Sequence, residues 1–383
     1  MTACWAVGGL LGLVATILFA GCQPIGERVF RWLPAPLWCY LLPLVAVSVG
    51  WLPAAHPAYR ALTNQLLPIA LSLLLLGVDL PALRALGGGA LLAAAVGALG
   101  IMLGTVGGFW LLRDALPAEA WKGVGALSGT WTGGTMNLLS LRLVLEIPEA
   151  VFAPLIIVDA AVAYGWMALL VAVSAFQQPI DQWLHAAPGG PMAAQAAAPV
   201  VQPLLDRGTD RLLLLAGSLG LTYLAAWLAA RLPPTSLISS ASGWTVLLVS
   251  GAALLLSLYT PLRRLGAGGT AIGYPCLYLV LAATGAQANW EALRSAPAWL
   301  GVGLIAALVH GGLLLLIGRL ARIPLGVLAT ASQANIGGVV SAPLVAAVYD
   351  QRLAPVGLLL AVAGNALGTY FGWWAAVLAR TLR

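Results

Sequence analysis

Two apolar stretches of this 383-residue chain are interrupted in the same manner, by a glycine pair among small polar side chains. The first break carries Ser128, Thr130, Thr132, Gly133, Gly134, Thr135 and Asn137; the second carries Ser332, Gln333, Asn335, Gly337, Gly338 and Ser341. Setting Gly133-Gly134 on Gly337-Gly338 gives an offset of 204 residues. A helix broken at glycine presents unpaired N–H groups where one half begins and unpaired C=O groups where the other ends. The donors suit a carboxylate; the acceptors suit Na⁺ or a protonated amine. Close helix packing through small residues explains the glycines equally well. It explains Gln333-Ala334-Asn335 poorly, because an amide inside a bilayer needs a partner.

Ionisable groups in apolar runs are the next source of chemistry. Asp159 sits about ten residues into the run that begins Phe152-Ala153-Pro154. A carboxylate at that depth is a site for a cation or a transferable proton by default, or it makes a structural hydrogen bond to a neighbouring helix. Asn365 falls at the matching depth of the last apolar segment. His310 lies in mid-span and either shuttles protons or is satisfied by a backbone carbonyl. Asp79 precedes Pro81 and either caps the following turn or reaches a cavity. Asp159, Asn365, His310 and Asp79 form the expected ion-coupling set.

These groups need an apolar frame, and composition supplies it. The apolar fraction is 61% and the charged fraction 8%, against about 45–50% and about 25% in soluble domains. A bilayer span needs about 20 mostly apolar residues, and about a dozen such stretches run between residues 3 and 379. An all-α polytopic membrane protein with 10–12 transmembrane helices follows, since helices satisfy their own backbone in lipid. The runs do not alternate, which excludes a β-barrel. The formal charge of +6 is spread singly or in pairs over span ends, among them Arg28, Arg31, Arg84, Lys122, Arg263 and Arg383. That pattern suits lipid headgroups and excludes a nucleic-acid partner. No Lys or Arg precedes the first apolar run, so it reads as a retained span rather than a signal peptide. The four cysteines show no metal spacing and read as packing.

The chain reads as two copies of one six-segment unit. Residues 1–176 form the first membrane repeat and 211–383 the second; the Pro-, Gly- and Ala-rich stretch 177–210 reads as a loop between them. Matches extend past the breaks: Gly77-Val78-Asp79 against Gly285-Ala286-Gln287 with Asn289 beyond, and Gly165-Trp166 against Gly372-Trp373. With six full spans per half the copies share an orientation. With one re-entrant segment per half they are inverted. The Lys/Arg distribution leans toward both termini inside without deciding. No nucleophile elbow, phosphate loop or metal cluster occurs, so no enzyme is expected and no cofactor beyond a coupling Na⁺ or H⁺.

The two Gly-Gly segments, together with Gly364-Asn365-Ala366-Leu367-Gly368-Thr369-Tyr370-Phe371-Gly372, resemble the signatures of a bacterial and plastid membrane family catalogued as domain of unknown function 819. The resemblance covers essentially the whole chain. That family is grouped with the cation/proton antiporter and anion transporter clan. The grouping implies inverted repeats, crossing discontinuous helices and an elevator-like core moving against a scaffold. It also implies an ion-binding Asp after the first broken helix, where Asp159 stands, and a basic residue before the second, where His310 stands. The family has Asp-Asn where this chain has Asp159-Ala160, Tyr where it has Trp131, and Ser where it has Thr135. These departures leave the coordination shell open and point to a pocket reshaped by Trp131.

The expectation is a secondary active transporter of the bacterial inner membrane, acting as a homodimer on a small carboxylate-bearing solute: an organic acid, amino acid or short peptide. Apolar segments 3–6 and 9–12 would form the core, and segments 1, 2, 7 and 8 the scaffold. The rivals are a monovalent cation/proton antiporter, a non-transporting membrane scaffold protein and an intramembrane enzyme.

Overall fold

The computed structural model describes residues 3–24, 29–30, 35–54, 56–79, 81–186, 207–235, 238, 240–266, 268–288 and 290–382. Of the residues singled out above, Arg28, Arg31, Asn289, Arg383 and the linker stretch 187–206 lie outside these. Among the described residues the chain is helical and has no strand. The helices are α1 (Ala3–Gly21), α2 (Ala35–Ser48), α3 (Pro57–Leu75), α4 (Gly88–Leu112), α5 (Ala120–Gly133), α6 (Thr135–Val144), α7 (Glu149–Val173) and α8 (Gln177–Leu184). They continue with α9 (Arg207–Ala229), α10 (Ala241–Ser257), α11 (Thr260–Gly266), α12 (Thr270–Gly285), α13 (Ala296–Ala321), α14 (Leu325–Ile336), α15 (Gly338–Tyr349) and α16 (Ala354–Thr381). Among the described residues, six helical stretches are long and apolar enough to cross a bilayer alone: Ala3–Gly21, Gly88–Ala115, Glu149–Leu184, Gly208–Ala229, Leu293–Ala321 and Gln351–Thr381. An integral membrane protein built of helices is what backbone hydrogen bonding in lipid demands.

The helices form two compact units. The first comprises Met1–Gly77, Arg142–Ala160 and Pro203–Ala296; the second comprises Val78–Leu141, Ala161–Gln202 and Pro297–Arg383. The first unit thus takes the first three apolar segments of each half of the chain together with the end of α6 and the first half of α7, and the second unit takes the remainder. Helices α3 and α12 were expected in the core with the broken segments. They belong instead to the first unit, where each packs on the other and α12 packs on α2. The reason is glycine at the α12 contacts. A Cβ at Gly285 would fall onto the Tyr40 backbone oxygen, and one at Gly273 would meet the Leu74 side chain.

The second unit is built on two glycine seams. On α5, Gly125, Gly129 and Gly133 recur every four residues; on α16, Gly364, Gly368 and Gly372 do the same. Gly133 lies against Gly364, Gly129 against Gly368 and Gly125 against Gly372, so the two helices run antiparallel with their backbones touching. A Cβ at Gly368 would sit 2.7 Å from the Gly129 oxygen. Spacing by four keeps one face glycine-only, and in lipid such contact replaces the hydrophobic drive that water supplies elsewhere. The second seam joins α4 to α13. Gly100, Gly104 and Gly108 lie against the backbones of His310, Ala306 and Val302 in turn.

The stretch read as an interdomain loop opens with structure. Residues 177–184 form α8, and Asp181 Oδ1 accepts the backbone N–H of Leu325 at 2.6 Å, capping the start of α14. Pro179 occupies the first turn of α8, where a missing N–H costs nothing. Leu184 is fully buried, in one cluster with Leu314 and Leu328.

Candidate functional site

Both glycine pairs end one helix and start another within the second unit. Helix α5 stops at Gly133 and α6 starts at Thr135; Gly134 between them has φ 79° and ψ 175°. Helix α14 stops at Ile336, and α15 starts at Gly338, whose φ is 75°. Gly134 and Gly338, 204 positions apart, thus share a positive φ that L side chains rarely adopt. The last turns close with Gly134 N–H on Thr130 O at 2.5 Å and Gly337 N–H on Gln333 O at 2.8 Å. Helix α14 packs on α4, α5, α15 and α16, and α16 lies along α5, so one bundle holds both breaks.

A buried hydrogen-bonded chain ties the second break to its neighbours. His310 is fully buried, with Nδ1 2.8 Å from the Gly97 carbonyl oxygen and Nε2 2.8 Å from Ser332 Oγ. Trp166 Nε1 donates to the same Ser332 Oγ at 2.8 Å. A carbonyl only accepts, so Nδ1 of the neutral imidazole carries the proton and Nε2 accepts from the serine hydroxyl. The order is therefore Trp166 N–H to Ser332, Ser332 O–H to His310, His310 N–H to Gly97. Asn335 Nδ2 donates to Ala94 O on the same face of α4 at 3.1 Å. Both side chains reach the α4 backbone because Gly97 has no Cβ: one would fall on the His310 ring and the Asn335 amide.

Gln333 and Ser341 bridge the break itself. Gln333 Nε2 donates to Ser341 Oγ at 2.9 Å, and a Cβ at Gly337 would displace that bridge. Gln333 Oε1 is buried and has no partner within the protein. On the first broken helix the Trp131 indole N–H, three residues before Gly134, is in the same state. Gly134 and Thr135 are partly exposed, whereas α5 from Gly123 to Gly133 is buried, and Asn365 Oδ1 reaches to 3.2 Å of where a Gly134 Cβ would be.

Other expected site residues have partners within the protein. Asn137 was expected to orient a solute. Its amide is instead fully engaged: Nδ2 donates to Gly133 O at 2.6 Å and Asn365 O at 3.2 Å, and Oδ1 accepts from Thr369 at 2.6 Å. Thr132 bonds back to Ser128 O, and Ser128 shares a 2.5 Å bond with Thr105 of α4. Asp79 Oδ1 accepts from Ala82 N at 3.1 Å, the capping arrangement. Asp159 is partly buried on α7, in the stretch that belongs to the first unit, and has an interaction of its own. The residues that sequence reasoning missed are Trp166 as a donor to Ser332, Thr105, and the seam glycines. The every-fourth-residue spacing of glycine in α5 and α16 was the available signal.

Comparison with known proteins gives a family match over residues 8–382, described as "Protein of unknown function (DUF819)". The chain is also 23% identical over 394 aligned positions to "Uncharacterized membrane protein YjcL" of Bacillus subtilis (strain 168); the alignment covers 97% of this chain and 96% of that protein.

Proposed function

The chain belongs to the DUF819 family, and from the paired breaks of its second unit we propose that it is a secondary active transporter of a small carboxylate-bearing solute. The observation that carries this reading is a pair of buried polar atoms without protein partners, one on each broken helix. Trp131 Nε1–H is a donor and Gln333 Oε1 an acceptor. Burying such atoms unpaired is unfavourable by about 1–3 kcal/mol each. A bound solute with one acceptor group and one donor group, such as an amino acid, relieves both. Helix starts at Thr135 and Gly338 add backbone N–H groups for the carboxylate. Neutral lining without Arg in either break favours a zwitterion or monoanion over a polyanion.

Coupling to H⁺ or Na⁺ falls to Asp159 and to the Trp166–Ser332–His310 chain. Helix α7 carries both Asp159 and Trp166. Protonating His310 Nε2 would force the Ser332 hydroxyl to turn its proton elsewhere, which links a proton to the geometry of the second break. The division into two units, each drawn from both halves of the chain, supports alternating access of elevator type; the proposed location is a bacterial inner membrane.

The test is thermal stability of the purified protein against amino acids, dipeptides and organic acids, with and without Na⁺ and at two pH values. A ligand of the folded state raises apparent stability by mass action. An ion-dependent shift for one organic solute, lost in Asp159→Asn, is the expected result. Shifts from Na⁺, Li⁺ or pH alone would replace the proposal with cation/proton exchange.

A further inference from the structure

The first unit contains an open cavity of about 1120 Å³ with charged groups on its walls. Its walls include His56 and Arg60 at the start of α3, Glu149 as the first residue of α7, Ser240 as the N-cap of α10, and Arg142 near the end of α6. Arg142 is the key to its chemistry. The side chain is only 12% exposed, yet it is held in one pose. Nη2 pairs with Glu149 Oε2 at 2.6 Å, Tyr40 donates to Glu149 Oε1 at 3.1 Å, and the guanidinium lies 4.6 Å over the Phe152 ring. Glu149 is thereby engaged at both oxygens. Arg142 Nη1 is buried and has no hydrogen-bond partner within the protein. A guanidinium fixed on one edge and unpaired on the other is built to receive an oxygen acceptor.

Two further side chains add donors, while Glu146 on the same wall is a carboxylate with an interaction of its own. Arg60 is exposed on the cavity wall and adds a second guanidinium. His56 accepts the Ala58 N–H through Nδ1 at 3.2 Å, which leaves its proton on Nε2 as a donor. Three helices begin at the cavity, at Pro57, Glu149 and Ala241, and each start carries partial positive charge. Donors from three elements surround the space, which suits a tetrahedral oxyanion better than a planar carboxylate. The volume exceeds that of a bare phosphate ion and lies just above the usual range of small-molecule pockets, about 300–1,000 Å³. We infer that this cavity binds the phosphate group of an organic phosphate ester, either a soluble ester or the headgroup of a phospholipid. Guanidiniums at helix starts are where a headgroup phosphate would meet a membrane protein. The inference stands apart from the transport reading of the second unit.

The test uses the full-length protein, delipidated in detergent and titrated with inorganic phosphate, with chloride at equal ionic strength as control. Saturable stabilisation and broadening of the phosphorus NMR line by phosphate, but not by chloride, are expected. Arg60→Gln, at an exposed position, should weaken the apparent Kd at least about tenfold, the loss of one charge-assisted contact. Because Arg142→Gln alone strands Glu149, the double variant Arg142→Gln/Glu149→Gln serves for the buried pair and should lose the phosphate effect. Repeating the titration in vesicles of phosphatidylglycerol separates the two sources. Loss of the phosphate response there assigns the cavity to a headgroup; persistence assigns it to a soluble ester. Phosphate acting no better than chloride on delipidated protein, or an unchanged Kd in both variants, overturns the inference.

Discussion

Replacing Gly368 by alanine tests the seam that positions the first break. A Cβ there would lie 2.7 Å from the Gly129 backbone oxygen, 2.6 Å from Asn137 Nδ2 and 2.8 Å from Asn137 Cγ. Neither α5 nor α16 can yield at one point without moving the whole face, because Gly133 meets Gly364 and Gly125 meets Gly372 on the same ridge. Overpacking of a well-filled interior is unfavourable by about 1–3 kcal/mol. Displacing Asn137 also strains its bonds to Thr369 and to Asn365 O, worth about 0.6 kcal/mol each in a membrane. The expected loss is therefore about 2–4 kcal/mol. Gly107→Ala on α4 is the control, since a Cβ there meets nothing within 4 Å; helix preference makes it neutral or slightly stabilising, by up to about 1 kcal/mol. Reversible unfolding in mixed micelles, read by circular dichroism, measures both. Equal stabilities for the two variants, within about 0.5 kcal/mol, would refute backbone contact along the seam.

Three further outcomes follow from the same geometry. Gly338→Ala should lose about 1–2 kcal/mol through backbone strain alone, since its φ is 75° and a Cβ there meets open space; a deletion of side-chain volume nearby should not restore it in the same unfolding assay. Ser332→Ala removes the middle of the Trp166–Ser332–His310 chain and should destabilise by about 1–3 kcal/mol, leaving a buried N–H and a buried imidazole nitrogen unpaired, while Ser332→Thr, which keeps the hydroxyl, should recover much of that loss. Gln333→Leu removes an amide whose oxygen has no partner and should leave the folded protein within about 1 kcal/mol of wild type, yet abolish any solute-induced rise in thermal stability.

The breaks were legible because their cause is local. Only glycine adopts φ near +75° without strain, so a Gly-Gly pair inside an apolar run announces a helix end in either half. Asp79 as a cap was likewise legible from Asp before Pro81. The partners of Asn137, Ser332 and His310 were not, because each bond joins residues far apart in sequence: 228 for Asn137 to Asn365, 166 for Trp166 to Ser332, 213 for His310 to Gly97. Sequence identifies a buried amide that needs a partner but not whether the partner is a solute or the scaffold. Asn137 turned out to have its whole amide satisfied, and Gln333 only half. Helix α8 was misread because Pro179 resembles a loop residue unless it falls in a first turn. The grouping of α3 and α12 with the first unit was hidden because hydrophobic segments carry no label for which neighbour they pack against.

Gradient-driven uptake into proteoliposomes is the most direct measurement of the proposed function, using the solute that stabilises the purified protein most. Wild type should accumulate that solute above the external concentration when an inward Na⁺ or H⁺ gradient is imposed, and should lose the accumulation when the gradient is collapsed. Gln333→Leu, folded and inserted, should not accumulate it. Uptake that is indifferent to both gradients, or equal in wild type and Gln333→Leu, would contradict a coupled solute site at the paired breaks.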